Sequence, residues 1–257
     1  AIPGILALRR AAKQLPRQPP LWIVIVKING GGAEFMQPPE GASAITGAIM
    51  NSFDAHFFYG LCWVAFAAVH SLTATLGART VLGPALGRAY RLVYNGVAVI
   101  TLAPVWIAGQ ILLGNGAAFD WPPLMLGVLL ALFLTGGGLM ILALREYDLG
   151  LFSGMAQFRK GRGATLVAEE EPLHFDGLHR YVRHPIYSAA FLILWGRVSD
   201  EFSLATAFWA SLYLVIGSRF EERRLIRLFG ERYAAYRAKV PAFLPWRGQV
   251  DTRSIPC

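Results

Sequence analysis

Acidic charge is scarce in this chain. Its 257 residues carry 16 Asp and Glu against 24 Lys and Arg. Charged residues make up only 16% of the total, whereas a soluble globular domain has about 25%. That shortage excludes an ordinary water-facing surface over most of the chain. Cysteine is scarcer still: Cys62 sits in an apolar run and Cys257 is the last residue. No disulfide framework or metal-type cysteine spacing follows, so no metal site is expected. Cys257 is also no prenylation signal, which needs its cysteine four from the end. A Gly-x-Ser-x-Gly elbow, a P-loop and a carboxylate dyad in a polar domain are all missing, which removes the commonest hydrolase and nucleotide-binding readings. No RNA- or DNA-binding motif interleaves the basic residues, so nucleic acid is not an expected partner despite the net charge of +8.

What the chain has instead is grease. It is 55% hydrophobic, with a mean hydropathy of +0.45. Three long apolar runs are centred on Phe57–Leu76, Leu92–Leu113 and Pro122–Leu144. Each reaches the roughly 20 residues that a membrane-crossing helix needs. Pro104 is placed to kink the second. "TGGG" at Thr135–Gly138 offers a small-residue surface for close helix packing rather than a phosphate loop. Two shorter runs follow, Ile186–Gly196 and Leu204–Gly217, separated by "RVSDEF". They read as a short helical hairpin, extended by flanking residues. From Phe220, apolar residues Leu225, Leu228, Phe229, Tyr233, Tyr236 and Val240 recur at gaps of three and four. This predicts an amphipathic helix, weakened or bent at Gly230 and stopped by "PAFLPW". The expected fold class is therefore all-α: a polytopic membrane helix bundle. It has about five transmembrane helices and a C-terminal amphipathic cytoplasmic helix.

Residues 1–49 look unlike the rest. "LRRAAKQLPRQPP" is basic and proline-rich, and "INGGGAEFMQPPEGASA" reads as linker. The expectation is a disordered or non-native extension, with a functional start at or near Met50 and one domain over 50–257. Charge predicts the orientation. Gly77–Arg91 holds Arg79, Arg88 and Arg91 with no acid, and Gly114–Trp121 holds only Asp120. The tail from Arg219 holds nine basic residues against four acidic. The lipid bilayer is thus an expected partner, and the C-terminus is expected in the cytoplasm.

The candidate chemistry lies at the ends of the last two runs. "RYVRHPIY" places Arg180, Tyr181, Arg183, His184, Pro185 and Tyr187 before the fourth, and Glu221 with Glu222 follow the fifth. A hairpin brings these ends to one depth. Pro185 suits the first turn of a helix, whose N-terminus adds partial positive charge. Such a site receives a carboxylate, with acids nearby for an amine or sugar hydroxyls. The plainer alternative stays open: the arginines only snorkel to lipid phosphates, and the glutamates pair with neighbouring arginines. His70, inside the first run, is either functional or a hydrogen-bond partner of another helix. His174, His179 and His184 recur every five residues, about 500° on a helix, and so share no face. "AEEEP" at Ala168–Pro172 reads as a solvated loop.

These residues resemble a known family. "GLHRYVRHPIY" followed by "FEERRLIRLFGERYAAYRAKVPAFLP" is similar to the C-terminal signature of isoprenylcysteine carboxyl methyltransferase-like membrane methyltransferases. The match covers about Asp176–Trp246. It runs through Gly177, Tyr181, Arg183, His184, Pro185, Tyr187, Glu221, Glu222, Gly230, Tyr233, Tyr236, Val240 and Pro245. Upstream, "HSLTA", "RAYRLVYN" and "LREYDLGLFSGMAQ" are similar to bacterial methanethiol S-methyltransferases and NnrU-like membrane proteins. "SAAF" after Tyr187 departs from the pattern. The resemblance implies an enzyme with about five membrane helices and a cytoplasmic cofactor region over about 145–246. It implies S-adenosyl-L-methionine as methyl donor, in an integral protein of a bacterial inner membrane.

On that resemblance, Arg183 and the helix start at Pro185 would hold the donor's carboxylate, with a hydrogen bond from His184. Glu221 or Glu222 would take its amine or ribose. Tyr181 and Tyr187 would stack on adenine or the sulfonium. Arg180 or Arg145 would favour the thiolate of an acceptor, and His184 or His70 could serve as base. Methyl transfer is an in-line displacement that depends on alignment. A small thiol such as methanethiol is the expected acceptor. The alternatives are isoprenylcysteine carboxyl or phospholipid amine methylation, reduced-nicotinamide chemistry as in sterol reductases, or a non-enzymatic accessory or transport role.

Overall fold

The computed structural model describes residues 26–29, 32–35, 52–159, 173 and 175–252. The chain divides into two units, Ala1–Ser52 and Phe53–Cys257. In the first, β1 (Val26–Asn29) and β2 (Gly32–Phe35) pair antiparallel, with Val26 opposite Phe35 and Asn29 opposite Gly32. Part of the stretch read as linker is thus a small ladder. The remaining expectations for residues 1–49 lie outside the described residues, as do His174, Cys257 and the acidic loop at 169–171.

The second unit is helical. Its order is α1 (Ser52–Thr73), α2 (Leu76–Leu86), α3 (Tyr90–Leu113), α4 (Pro123–Arg145), α5 (Leu149–Ser153), α6 (Met155–Arg159), α7 (Pro185–Gly196) and α8 (Glu201–Lys239). Starts and stops follow side-chain chemistry. Thr75 accepts a hydrogen bond from the Ala78 amide to open α2, and Asp148 accepts two to open α5. Asp200 and Ser203 form a reciprocal capping box at the head of α8. Pro123 and Pro185 occupy first turns, where no backbone bond is lost.

Among the described residues, four helical stretches are long and apolar enough to cross a membrane: Ser52–Thr73, Gly77–Leu113, Pro123–Arg145 and Glu201–Lys239. This is a polytopic helical bundle. Its outer faces are apolar, as on α4, where Leu124, Leu126, Leu134 and Ile141 are exposed. Such surface suits lipid, not water. The terminal hairpin is uneven. With 12 residues, α7 is about 18 Å long, short of a hydrocarbon core of about 30 Å. By contrast, α8 runs for 39 residues. The expected tail helix is its continuation, since a rise in charge after Gly217 marks a polarity boundary without breaking the backbone ladder. The break comes at Gly230, whose φ of 55° is open to glycine and strained for other residues.

The core of the bundle joins α1, α3 and α8. Tyr59, Trp63 and Phe66 pack on Val105, Leu113, Phe202 and Ala205. The Tyr59 hydroxyl lies 2.8 Å from Thr206 Oγ1. The short α7 lies against α4, where a Cβ on Gly136 would stand 2.8 Å from the Ile193 nitrogen. The backbone and the Leu192 Cβ of α7 approach because Gly136 carries no side chain there. Gly136→Ala is expected to lower stability by about 1–3 kcal/mol through overpacking. Gly137→Ala, with nothing within 4 Å of its added Cβ, is expected to leave the detergent melting temperature unchanged. Equal melting of both variants would contradict this packing.

Candidate active site

Helix ends gather at one end of this bundle. They are the last turn of α1, the first turns of α3 and α7, the segment after α4, and α8 beyond residue 220. Together they line a cavity of about 440 Å³, within the range of small-molecule sites. Its walls carry Arg79, Arg91, Arg183 and Arg224, the carboxylate of Glu221, His179 and His184, and the rings of Tyr90, Tyr94, Tyr147, Tyr187 and Tyr233.

The floor is an ion-paired knot. Glu222 is 5% exposed. Its Oε1 accepts from Arg183 Nε at 2.8 Å and Nη2 at 2.6 Å, and stands 3.0 Å from His184 Nε2. Arg183 Nη1 donates to the carbonyls of Arg237 and Val240. Four of its five N–H groups are thereby engaged. The carbonyls it caps belong to the last turn of α8, where a cation is favourable. The backbone completes the knot. The amides of Arg183 and His184 donate to Pro241 and Ala242 carbonyls, and Val250 donates to Arg180. Ser188 Oγ donates to the Phe243 carbonyl at 2.7 Å. The segment after α8 is thus strapped across the start of α7, over a cluster of Tyr233, Tyr236 and Val240.

Glu221, one residue along, behaves differently. Its Oε2 accepts from the Tyr187 hydroxyl at 3.1 Å and stands 3.7 Å from His184 Nδ1. It faces the cavity. The Tyr187 ring stacks on His184, centroids 5.3 Å apart and 7° from parallel.

Arg183, His184, Pro185, Tyr187, Glu221 and Glu222 are therefore brought together, with Pro185 fully buried in the first turn of α7. Three other candidates are not among the lining residues. Arg180 Nε donates to the Val250 carbonyl at 3.2 Å. Tyr181 is 38% exposed. His70 stacks on Phe66 and holds the Tyr94 hydroxyl at 2.6 Å from Nε2, so its ring is linked to the cavity through Tyr94.

Sequence reasoning missed Glu146, Tyr147 and His179. Glu146 Oε1 accepts from the Leu178 amide at 2.8 Å, and Oε2 lies 3.1 Å from His179 Nδ1. His179 Nε2 lies 3.0 Å from the Tyr147 hydroxyl. Arg79, Arg91 and Arg224 were read only as loop and tail charge. The available signals were "LREYD" and "RAYRLVYN", whose likeness to other membrane proteins was visible but whose roles were not.

Comparison with known proteins adds a family likeness. The chain is 36% identical over 91 residues to Methanethiol S-methyltransferase 1 of Bradyrhizobium diazoefficiens, covering 35% of this chain and 30% of that protein. It is 34% identical over 86 residues to the Crocosphaera subtropica methanethiol S-methyltransferase, covering 32% and 33%. It is 31% identical over 133 residues to that of a Pseudomonas strain, covering 49% of each. The chain thus spans about a third to a half of the length of these relatives. No family model matches it, and no solved structure matches it. The membrane-methyltransferase resemblance read from the sequence is accordingly matched by a likeness to methanethiol S-methyltransferases.

Proposed function

We propose that the protein is an integral-membrane methyltransferase that moves a methyl group from S-adenosyl-L-methionine to a small thiol of the methanethiol type. The observation that carries this reading is the cavity itself. Cations, the Glu221 carboxylate and stacked aromatic rings line about 440 Å³ at a single end of an apolar bundle. That donor set matches a ligand with a carboxylate, an amine, hydroxyls, a purine and a sulfonium.

S-adenosyl-L-methionine supplies an electrophilic methyl on a positively charged sulfur. The chain's own groups do the rest. Arg79, Arg91 and Arg224 line the cavity and suit the carboxylate. Glu221 accepts from the amine or ribose hydroxyls. Tyr187, flat against His184, offers a face to the purine or sulfonium. Arg183, engaged with Glu222 and the strap, holds the wall rather than the ligand. The apolar bundle excludes water, which favours charge neutralisation between a thiolate and a sulfonium. A thiol of ordinary pKa, about 8.5, is only a few per cent ionised at neutral pH, so nearby cations raise the reactive fraction. The excess of basic residues at this end supports an orientation with the cavity facing the cytoplasm, and a volatile or lipid-soluble acceptor reaches it from the bilayer.

The test is methyl transfer. Purified protein given methyl-labelled donor and methanethiol is expected to release labelled dimethyl sulfide. Folded protein that binds the donor and methylates neither methanethiol nor other small thiols would overturn the acceptor assignment.

A further inference from the structure

We propose that Glu146, His179 and Tyr147 form a proton relay that ionises the acceptor thiol, with the Tyr147 hydroxyl as the group that meets it. The inference rests on the thiol-methyltransferase reading above and adds to it a base that the floor of the site does not supply.

The geometry is directional. A carboxylate only accepts hydrogen bonds, so Glu146 Oε2, 3.1 Å from His179 Nδ1, assigns the imidazole proton to Nδ1. In the neutral ring Nε2 is then the acceptor, and it lies 3.0 Å from the Tyr147 hydroxyl. Tyr147 therefore donates to His179, and its oxygen is the atom that takes a proton from the cavity it lines. Both residues line that cavity, and His179 is 6% exposed. This is the order of carboxylate, imidazole and hydroxyl by which a weak acid is activated on unrelated folds.

The arrangement is also held in place. Glu146 Oε1 accepts from the Leu178 amide, and the Tyr236 hydroxyl donates to the His179 carbonyl at 2.8 Å. Gly177 has a φ of 57°, and a Cβ there would collide with the Glu146 carboxylate. That backbone conformation and the bare glycine let the carboxylate approach the turn closely. By contrast, Glu222 is tied to both Arg183 and His184 in the floor.

The step balances. The acceptor's S–H proton passes to the Tyr147 oxygen as the Tyr147 proton passes to His179 Nε2. A sulfur lone pair forms the new S–CH₃ bond. The methyl–sulfonium bond breaks, and its electron pair stays on the donor sulfur. One positive charge leaves the sulfonium and one appears on the imidazolium, beside the Glu146 carboxylate. The proton then leaves to water.

Tyr147→Phe keeps the ring and removes the oxygen. Its rate with an alkyl thiol is expected to fall about 100-fold, the low end of general-base contributions. Its rate with an acidic aromatic thiol, already ionised at neutral pH, is expected to stay within about threefold of wild type. Glu146→Gln retains an oxygen for the Leu178 amide and is expected to show the same split to a lesser degree. S-adenosylmethionine affinity and melting temperature are expected unchanged in Tyr147→Phe. Equal loss with both thiols, or no loss with either, would overturn the relay while leaving the methyltransferase reading intact. A wild-type protein that methylates no thiol would overturn that reading and the relay with it.

Discussion

Glu222→Ala is expected to be the most damaging single change at the candidate site, destabilising the protein by about 3–5 kcal/mol, as for other broken buried ion pairs. The reason is what it leaves behind. Arg183, whose side chain is 11% exposed, loses the oxygen that accepts both its Nε and its Nη2. His184 loses its Nε2 partner in the same stroke. An uncompensated guanidinium then sits beneath the strap formed by residues 240–250. Arg183→Lys is expected to be damaging too, because an ammonium does not reproduce the planar fork that reaches Glu222 and the end of α8 together. The measurement is thermal unfolding in detergent, with proteolysis of the segment after α8 as local readout. A Glu222→Ala protein that melts with wild type and keeps its C-terminus protected would contradict the knot.

The second large effect falls one residue away and has the opposite signature. Glu221→Ala is expected to leave the melting temperature unchanged and to weaken S-adenosylmethionine binding by about 10- to 150-fold. That range follows from hydrogen bonds to charged groups of about 1.5–3 kcal/mol, at tenfold per 1.4 kcal/mol. Glu221 faces the cavity, and its side chain is about half exposed, so its removal strands no buried charge. Neighbouring helix positions point about 100° apart, which is how one of two adjacent acids turns to the wall and the other to the cavity. Tyr187→Phe is expected to follow Glu221→Ala in kind and to be milder, since it keeps the ring. Loss of stability together with affinity in Glu221→Ala would assign that residue to the knot instead.

The contrast between these two acids marks how far the sequence could be read. That both lie opposite Arg183 and His184 follows from a hairpin whose ends meet, and the apolar runs predicted that hairpin. Which acid turns inward does not follow, because it depends on the rotation of α8 against the start of α7. The three long membrane runs were legible from apolar length alone. The continuity of α8 through "GSRFEERR" was not, because charge reports the polarity of the surroundings and not the path of the backbone. Arg183 reads as a ligand-binding cation in the sequence. Its engagement with Val240 and Arg237 depends on a strap that returns from more than 50 residues away. Glu146 and His179 are 33 positions apart and belong to no periodic pattern. The left-handed turn at Gly177 is what lets the Glu146 carboxylate approach so closely. His70 is visible as a polar residue in an apolar run, and its link to the cavity through Tyr94 becomes visible only once α1 and α3 are packed.

The cavity lined by α1, α3, α7 and α8 is proposed to hold S-adenosyl-L-methionine. Equilibrium binding of that compound to the detergent-purified full chain tests it most directly, with Glu221→Ala measured beside wild type. Saturable binding to wild type is expected in the micromolar range, about −8 kcal/mol, with at least tenfold weaker binding to the variant at equal melting temperature. Folded wild-type protein that shows no saturable binding would contradict it.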